Sequence, residues 1–135
     1  MKKITLLLII IGTLSTANSQ ARIVLGEQEK ADINVGCLFP LTGRGGQYGQ
    51  DSKIGIQLAL EKLATKKDTY PSIKIIIEDS RSKASRATRL VKNLVKNNQV
   101  RFICGVVNSS IALQVAQVTE KEKQSSFSVS AILAQ

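Results

Sequence analysis

Short β-branched runs alternate along this chain with segments of helical period, and that alternation leaves few folds open. Ile33–Phe39, Ile73–Glu78 and Arg101–Val107 read as strands, the second bounded by Pro71 and Asp79. Between the first two, Gln50 to Thr65 carries Ile56, Ala59, Leu60 and Leu63 at i, i+3, i+4 and i+7, a stripe expected to be buried. Ser82 is placed to cap a second helix running to about Asn97, with Ala87, Leu90, Val91, Leu94 and Val95 on its inner face. Ser109 or Ser110 then caps a third helix, lined by Ala112, Val115, Ala116 and Thr119, and Ser126–Val129 begins a fourth strand. Strands separated by single helices require right-handed crossovers and a parallel sheet. The expected fold is α/β, a three-layer α/β/α doubly wound parallel sheet, with the strand at Ile33–Phe39 central and the next two on either side.

In such a sheet ligands collect outside the carboxyl ends of the two strands between which the chain reverses direction. Those ends are the loop Pro40–Tyr48 and the segment Asn108-Ser109-Ser110. Unpaired N–H groups and the positive end of the helix dipole favour a carboxylate at the start of the third helix, where Ser109 and Ser110 add hydroxyl donors. A serine there also serves as an ordinary helix cap. Tyr48, one of two tyrosines in an aromatic-poor chain, stands in a glycine-rich loop. It can stack on or hydrogen-bond to a ligand, or it can staple the loop down.

The first residues concern destination rather than fold. Met1-Lys-Lys3 is cationic, Ile4–Leu14 is apolar, and Ala17-Asn-Ser19 offers small residues for cleavage, with Ser19-Gln-Ala21 as a second choice. The apolar run is shorter than the roughly 20 residues that span a bilayer, so residues 1–19 read as a cleavable secretory signal. Residues 20–31 then form an N-terminal linker, and residues 32–135 one modest domain. Removing Lys2 and Lys3 lowers the formal charge from +9 to +7. Cys37 and Cys104 each fall inside a strand. In an exported chain such a pair suggests a disulfide, but two buried thiols are the expectation here, because adjacent parallel strands rarely offer disulfide geometry.

Leu38-Phe-Pro-Leu-Thr-Gly43 and Gln47-Tyr-Gly-Gln-Asp51 resemble the start of the branched-chain amino-acid binding proteins of ABC transporters, which are periplasmic type I substrate-binding proteins. Gly55-Ile-Gln-Leu-Ala59, Glu78-Asp-Ser-Arg-Ser82 and Gly105-Val-Val-Asn-Ser-Ser-Ile-Ala-Leu113 continue the resemblance in order. Ser126-Phe-Ser-Val-Ser-Ala-Ile-Leu-Ala134 resembles the segment that ends the family's fourth strand. The likeness implies most of an N-terminal lobe, a role in delivering an amino acid or related small polar solute to a membrane permease, and ligand contacts at Tyr48, Ser109 and Ser130, beside the Ser110 that the helix start already nominates. It implies no stable membrane insertion after signal cleavage. The sequence departs from the family at Ile132, where a threonine hydroxyl is usual, and at Val129 and Ala134, where prolines are. Family members close two lobes on their ligand, and this chain stops within the first.

Other readings fit less of the chain. In Gly43-Arg-Gly-Gly-Gln-Tyr-Gly49 the third glycine of a dinucleotide-binding G-x-G-x-x-G falls on Tyr48. Glu78-Asp79, the pair that would bind a ribose, lies farther from that loop than the usual spacing of about 20 residues. There is no histidine, no Gly-Lys-Ser/Thr phosphate loop, and no other paired-carboxylate cluster, so neither catalysis nor a cofactor is expected. Lys83, Arg86, Arg89, Lys92 and Lys96 lie on the second helix without interleaved aromatics, which suits a solvated face better than nucleic acid. A truncated product without autonomous function is the remaining alternative.

Overall fold

The β-branched runs fold as strands because each packs at least one face on helices, and the chain's own order decides which helix covers which face. The computed structural model describes residues 22–66 and 68–123, and the backbone of 130–131. The elements are β1 (Arg22–Gly26), β2 (Ile33–Phe39), α1 (Gly46–Ala64), β3 (Ile73–Asp79), α2 (Ala84–Asn98), β4 (Phe102–Gly105), α3 (Ser109–Lys123) and β5 (Ser130–Ala131). They build one sheet in the order β1-β3-β2-β4-β5. β2 is central and parallel to both β3 and β4, as the alternation requires. The fourth strand expected at Ser126–Val129 lies outside the described residues, as do residues 1–19; the backbone of β5 runs parallel to β4.

The sheet is mixed rather than wholly parallel. β1 pairs antiparallel with β3, Arg22 opposite Glu78 and Gly26 opposite Lys74. This strand falls in the segment that sequence reasoning treated as a linker. Its five residues, RIVLG, hold an Ile-Val-Leu run too short to stand out as a strand by itself, and only Ile23 and Leu25 are partly buried. Arg22 holds the pairing by donating to the buried Glu78 carboxylate at 2.5 Å.

Right-handed crossovers place α1 on one face, because β2 to β3 runs one way along the sheet, and α2 and α3 on the other. The α2–α3 side is the larger core. It contains Leu38, Ile76, Ala87, Leu90, Val91, Leu94, Val95, Val100, Ile103, Ile111, Ala112 and Val115. All five residues of the expected α2 stripe are buried. The α1 side is thinner. Cys37, Phe39, Leu41 and Ile77 are buried there, while Ile23, Leu25, Val35, Ile56 and Ile75 are only partly covered. The expected α1 stripe is correspondingly half-realised: Ile56, Leu60 and Leu63 are half-buried and Ala59 is exposed. One helix cannot cover a face that two helices cover on the other side.

Cys37 and Cys104 form a disulfide, against the expectation of free thiols. They are register partners in the parallel β2–β4 ladder, with Cα atoms 4.5 Å apart. Residues directly opposite each other project to the same face of the sheet, which brings the two Cβ atoms within disulfide reach. Sequence alone placed the cysteines on neighbouring strands but gave no register.

Helix α1 begins at Gly46, four residues ahead of expectation. Gly43 and Gly45 adopt φ of 76° and 83°, a left-handed turn that glycine takes without penalty, and the helix starts immediately after it. Gly49 is buried in the next turn because a Cβ there would overlap the carbonyl oxygen of Pro40. Gly49→Ala is therefore expected to push α1 off the loop and destabilise the chain by about 1–3 kcal/mol, although alanine is the better helix former. Urea unfolding of the two proteins checks this; equal midpoints would refute the close approach.

Candidate functional site

Three strands end at one edge of the sheet, and short backbone hydrogen bonds tie their loops together. Ser80 N–H donates to Phe39 O (2.8 Å), and Val106 N–H donates to Leu38 O (2.9 Å). The carboxyl ends of β2, β3 and β4 thus meet around Leu38–Phe39. Between β2 and β4 the chain reverses direction, the position where an open α/β sheet binds ligands.

Asp79, the last residue of β3, organises this edge. Its Oδ1 accepts the backbone N–H groups of Leu41 (2.9 Å), Arg81 (3.0 Å) and Thr42 (3.3 Å), while Oδ2 accepts the Thr42 hydroxyl (2.5 Å). Arg81 Nε lies 3.4 Å from the same carboxylate. Burial, at 1% exposure, favours the neutral acid, but the hydrogen bonds from Thr42, Arg81 and Leu41 outweigh it and hold the carboxyl below its ordinary range. Asp79 therefore fixes the β2–α1 loop and is not open to a ligand. Glu78 is likewise buried and spent on Arg22, so the acidic pair that a nucleotide ribose would need is engaged within the chain.

At the other side of the switch point, β4 ends at Gly105 and Val106 follows, both with positive φ (86° and 69°). A β-branched residue in this region carries strain. The turn is enforced by Gly105, where a Cβ would stand 2.6 Å from Leu38 O, and by the burial of the Val106 side chain among the α2–α3 core. α3 follows. Its cap is Asn108, correcting the assignment of that role to Ser109 or Ser110. Asn108 Oδ1 accepts from Ser110 N–H (3.0 Å), the Ser110 hydroxyl (2.6 Å) and Ile111 N–H (3.4 Å), and Asn108 O accepts from Ala112 N–H (2.9 Å). Asparagine bonds N2 and N3 in this way as readily as serine does. Ser109 and Ser110 are both exposed, and neither the Ser109 N–H nor its hydroxyl has a partner among the described residues.

Tyr48 lies in the first turn of α1, not in the loop, and is 65% exposed, which rules out a staple. Ser82 does not cap α2: the residue before that helix is Lys83, and no side chain caps it. The Ser82 hydroxyl donates instead to Arg44 O (2.7 Å), a further tie to the β2–α1 loop. The structure therefore brings Tyr48, Ser109 and Ser110 to helix starts on the carboxyl edge of the sheet, α1 on one face and α3 on the other. Ser130 is placed differently. In β5 it pairs with Phe102, three residues short of Gly105, or about 10 Å along the strand from the edge. Ile132 lies outside the described residues.

A family model for periplasmic binding proteins matches residues 32–134. A Leu/Ile/Val-binding protein of Rhizobium johnstonii is 30% identical over 105 residues, covering 76% of this chain and 28% of that protein. The gamma-aminobutyric acid type B receptor subunit 1 of mouse is 30% identical over 91 residues, covering 66% of this chain and 9% of the receptor. Among solved structures, a solute-binding protein of an ABC transporter from Rhodopseudomonas palustris, in complex with 3,4-dihydroxybenzoic acid, superposes with a TM-score of 0.64. It is 26% identical, covering 75% of this chain and 26% of that one. The chain thus spans about 28% of the length of the first curated relative it matches.

Proposed function

Because the chain belongs to the periplasmic binding protein family, we propose that it forms part of one lobe of the extracytoplasmic solute-binding component of an ABC transporter. The solute is an amino acid or a related small polar molecule, delivered to a membrane permease. Membership implies an extracytoplasmic location, and the cationic Lys2-Lys3 followed by Ile4–Leu14 fits export by a leader cleaved after Ser19. Among the described residues no helix is long and apolar enough to cross a membrane. The family binds and transports solutes, and we propose no catalytic step and no cofactor.

The observation that carries the reading is the exposed start of α3 at the switch point, with Ser109 N–H and hydroxyl free to donate. The compounds in the three relatives' names share one group: leucine, isoleucine and valine, gamma-aminobutyric acid and 3,4-dihydroxybenzoic acid all carry a carboxylate. A carboxylate is the ligand a helix N-terminus favours. Asn108 already occupies two of the α3 donors, so the incoming carboxylate binds through Ser109 or displaces the Asn108 amide oxygen. Tyr48 closes over the solute from α1, and Ser130 lies deeper along β5. With Ile132 in place of the family's threonine, a carboxylate is held here more firmly than an α-ammonium.

One helix N-terminus contributes only about 0.3–1 kcal/mol to an anion, against the roughly 8 kcal/mol of micromolar affinity. This chain, expressed by itself, is expected to bind leucine, valine or benzoate no tighter than the millimolar range. Amide chemical shifts of the ¹⁵N-labelled chain, followed during such titrations, test the reading. Saturable shifts centred on Gly105–Ile111 and the loop before Tyr48 are expected; shifts absent or confined elsewhere would overturn the site.

A further inference from the structure

The amino end of α2 gathers cations with no acid among them. Arg81, Lys83, Ser85, Arg86 and Arg89 line a cavity of about 330 Å³ beside it. Among the described residues only Arg81 of this group has a carboxylate partner, the Asp79 group 3.4 Å away; Lys83 and Arg89 are exposed. Arg86 is anchored through Nε to Asp79 O at 2.6 Å, and its buried Nη2 has no hydrogen-bond partner among the described residues. Anchored in this way, the Arg86 guanidinium keeps its charge fixed beside the cavity, where an oxyanion would meet it. The helix adds to the same field. No acidic residue stands in the first turn of α2 and no side chain caps it, so its leading N–H groups keep their positive potential.

We propose that this cavity binds a phosphate group. Three guanidiniums and one ammonium around a helix start match a multiply charged tetrahedral oxyanion, which offers several acceptors to forked donors, better than they match a single carboxylate. The site lies at the end of β3, on the same edge of the sheet as the solute crevice but beside α2 rather than between β2 and β4, and does not depend on the solute reading. The phosphate is either free in solution or carried on a lipid headgroup, and the two differ only in what presents it.

Calorimetric titration of the full chain with inorganic phosphate at low ionic strength, and sedimentation with phosphatidylglycerol vesicles, read the two sources. Saturable binding in either arm is expected. Lys83→Gln/Arg89→Gln, which alters two exposed side chains, is expected to weaken it by about tenfold. Lys92→Gln/Lys121→Gln removes the same charge from exposed positions on α2 and α3 outside the cavity, and is expected to weaken binding by less than about twofold. Response to free phosphate assigns the site to a soluble ligand, and response to vesicles alone assigns it to a headgroup. No binding in either arm, or equal losses in the two double variants, would overturn the proposal. Leucine in excess should leave the phosphate titration unchanged; competition between them would place both ligands in one site and overturn its separateness.

Discussion

Reduction of the Cys37–Cys104 bond is expected to destabilise the chain by about 4 kcal/mol, the value for closing a loop of this length in the chain-entropy account. The two cysteines are separated by 67 residues, and the loop they close contains α1, β3 and α2. For a domain of this size, whose whole stability is on the order of 5–15 kcal/mol, that is about a quarter of the total or more. Urea unfolding with and without reductant reads it directly. With a slope of about 1–3 kcal/mol per M, the midpoint should fall by about 2 M. Coincident curves would mean that the parallel ladder holds Cys37 against Cys104 without help from the bond. The disulfide also accords with an extracytoplasmic location, where such bonds persist.

Removing the Asp79 carboxylate is the second large effect. Asp79→Ala strands the N–H groups of Leu41, Thr42 and Arg81 together with the Thr42 hydroxyl, and is expected to cost about 3–5 kcal/mol. Asp79→Asn keeps an acceptor where the three N–H groups converge and should cost about 1–2 kcal/mol, mostly the charge assistance. The same pair of proteins separates charge from shape through pH. The folded carboxyl titrates below its ordinary value of 3.8, so its contribution is complete above that value and disappears as pH falls through the folded one. Asp32 behaves similarly, because the Ser72 hydroxyl and N–H donate to it, so the wild-type profile alone does not isolate Asp79. The stability difference between wild type and Asp79→Asn does: it should shrink as pH falls below about 4. A difference that stays constant to lower pH would show that the charge is unimportant and the geometry suffices.

Much of this architecture was legible in the residues. The β-branched runs gave β2 and β3 almost to the residue, and the α2 stripe from Ala87 to Val95 is buried as its spacing implies. These elements are determined locally, by period and by flanking turns. What was not legible depends on contacts distant in sequence. β1 exists because β3 offers it an edge and Glu78 offers Arg22 a partner, and neither is visible within RIVLG. The disulfide depends on register, and α1 starts early because the Gly43–Gly45 turn leads straight into it, with Gly49 letting its first turns lie against the Pro40 carbonyl. At the candidate site, topology indicated the segments Pro40–Tyr48 and Asn108–Ser110. Within the second, Asn108 carries the signal of a cap in its residue type, as Ser109 and Ser110 do, and only the backbone geometry decides among them. From sequence Asp79 reads as a ribose candidate and as part of the family-like segment Glu78–Ser82; an acid at the end of a strand, facing a loop of free N–H groups, is also the signal of a residue that holds that loop.

The antiparallel strand has a consequence for how this chain behaves among its own copies. β3 reads Ile-Lys-Ile-Ile-Ile-Glu-Asp, a β-branched heptamer without proline or glycine, the composition that stacks into intermolecular cross-β structure when its edge is bare. β1 occupies that edge and replaces it with a shorter one, opened by the charged Arg22 and closed by Gly26, where φ is 80° and a further strand cannot continue in register. Five residues, two of them only partly buried and the rest exposed, thereby keep the stickiest segment of the sheet from templating on a neighbour.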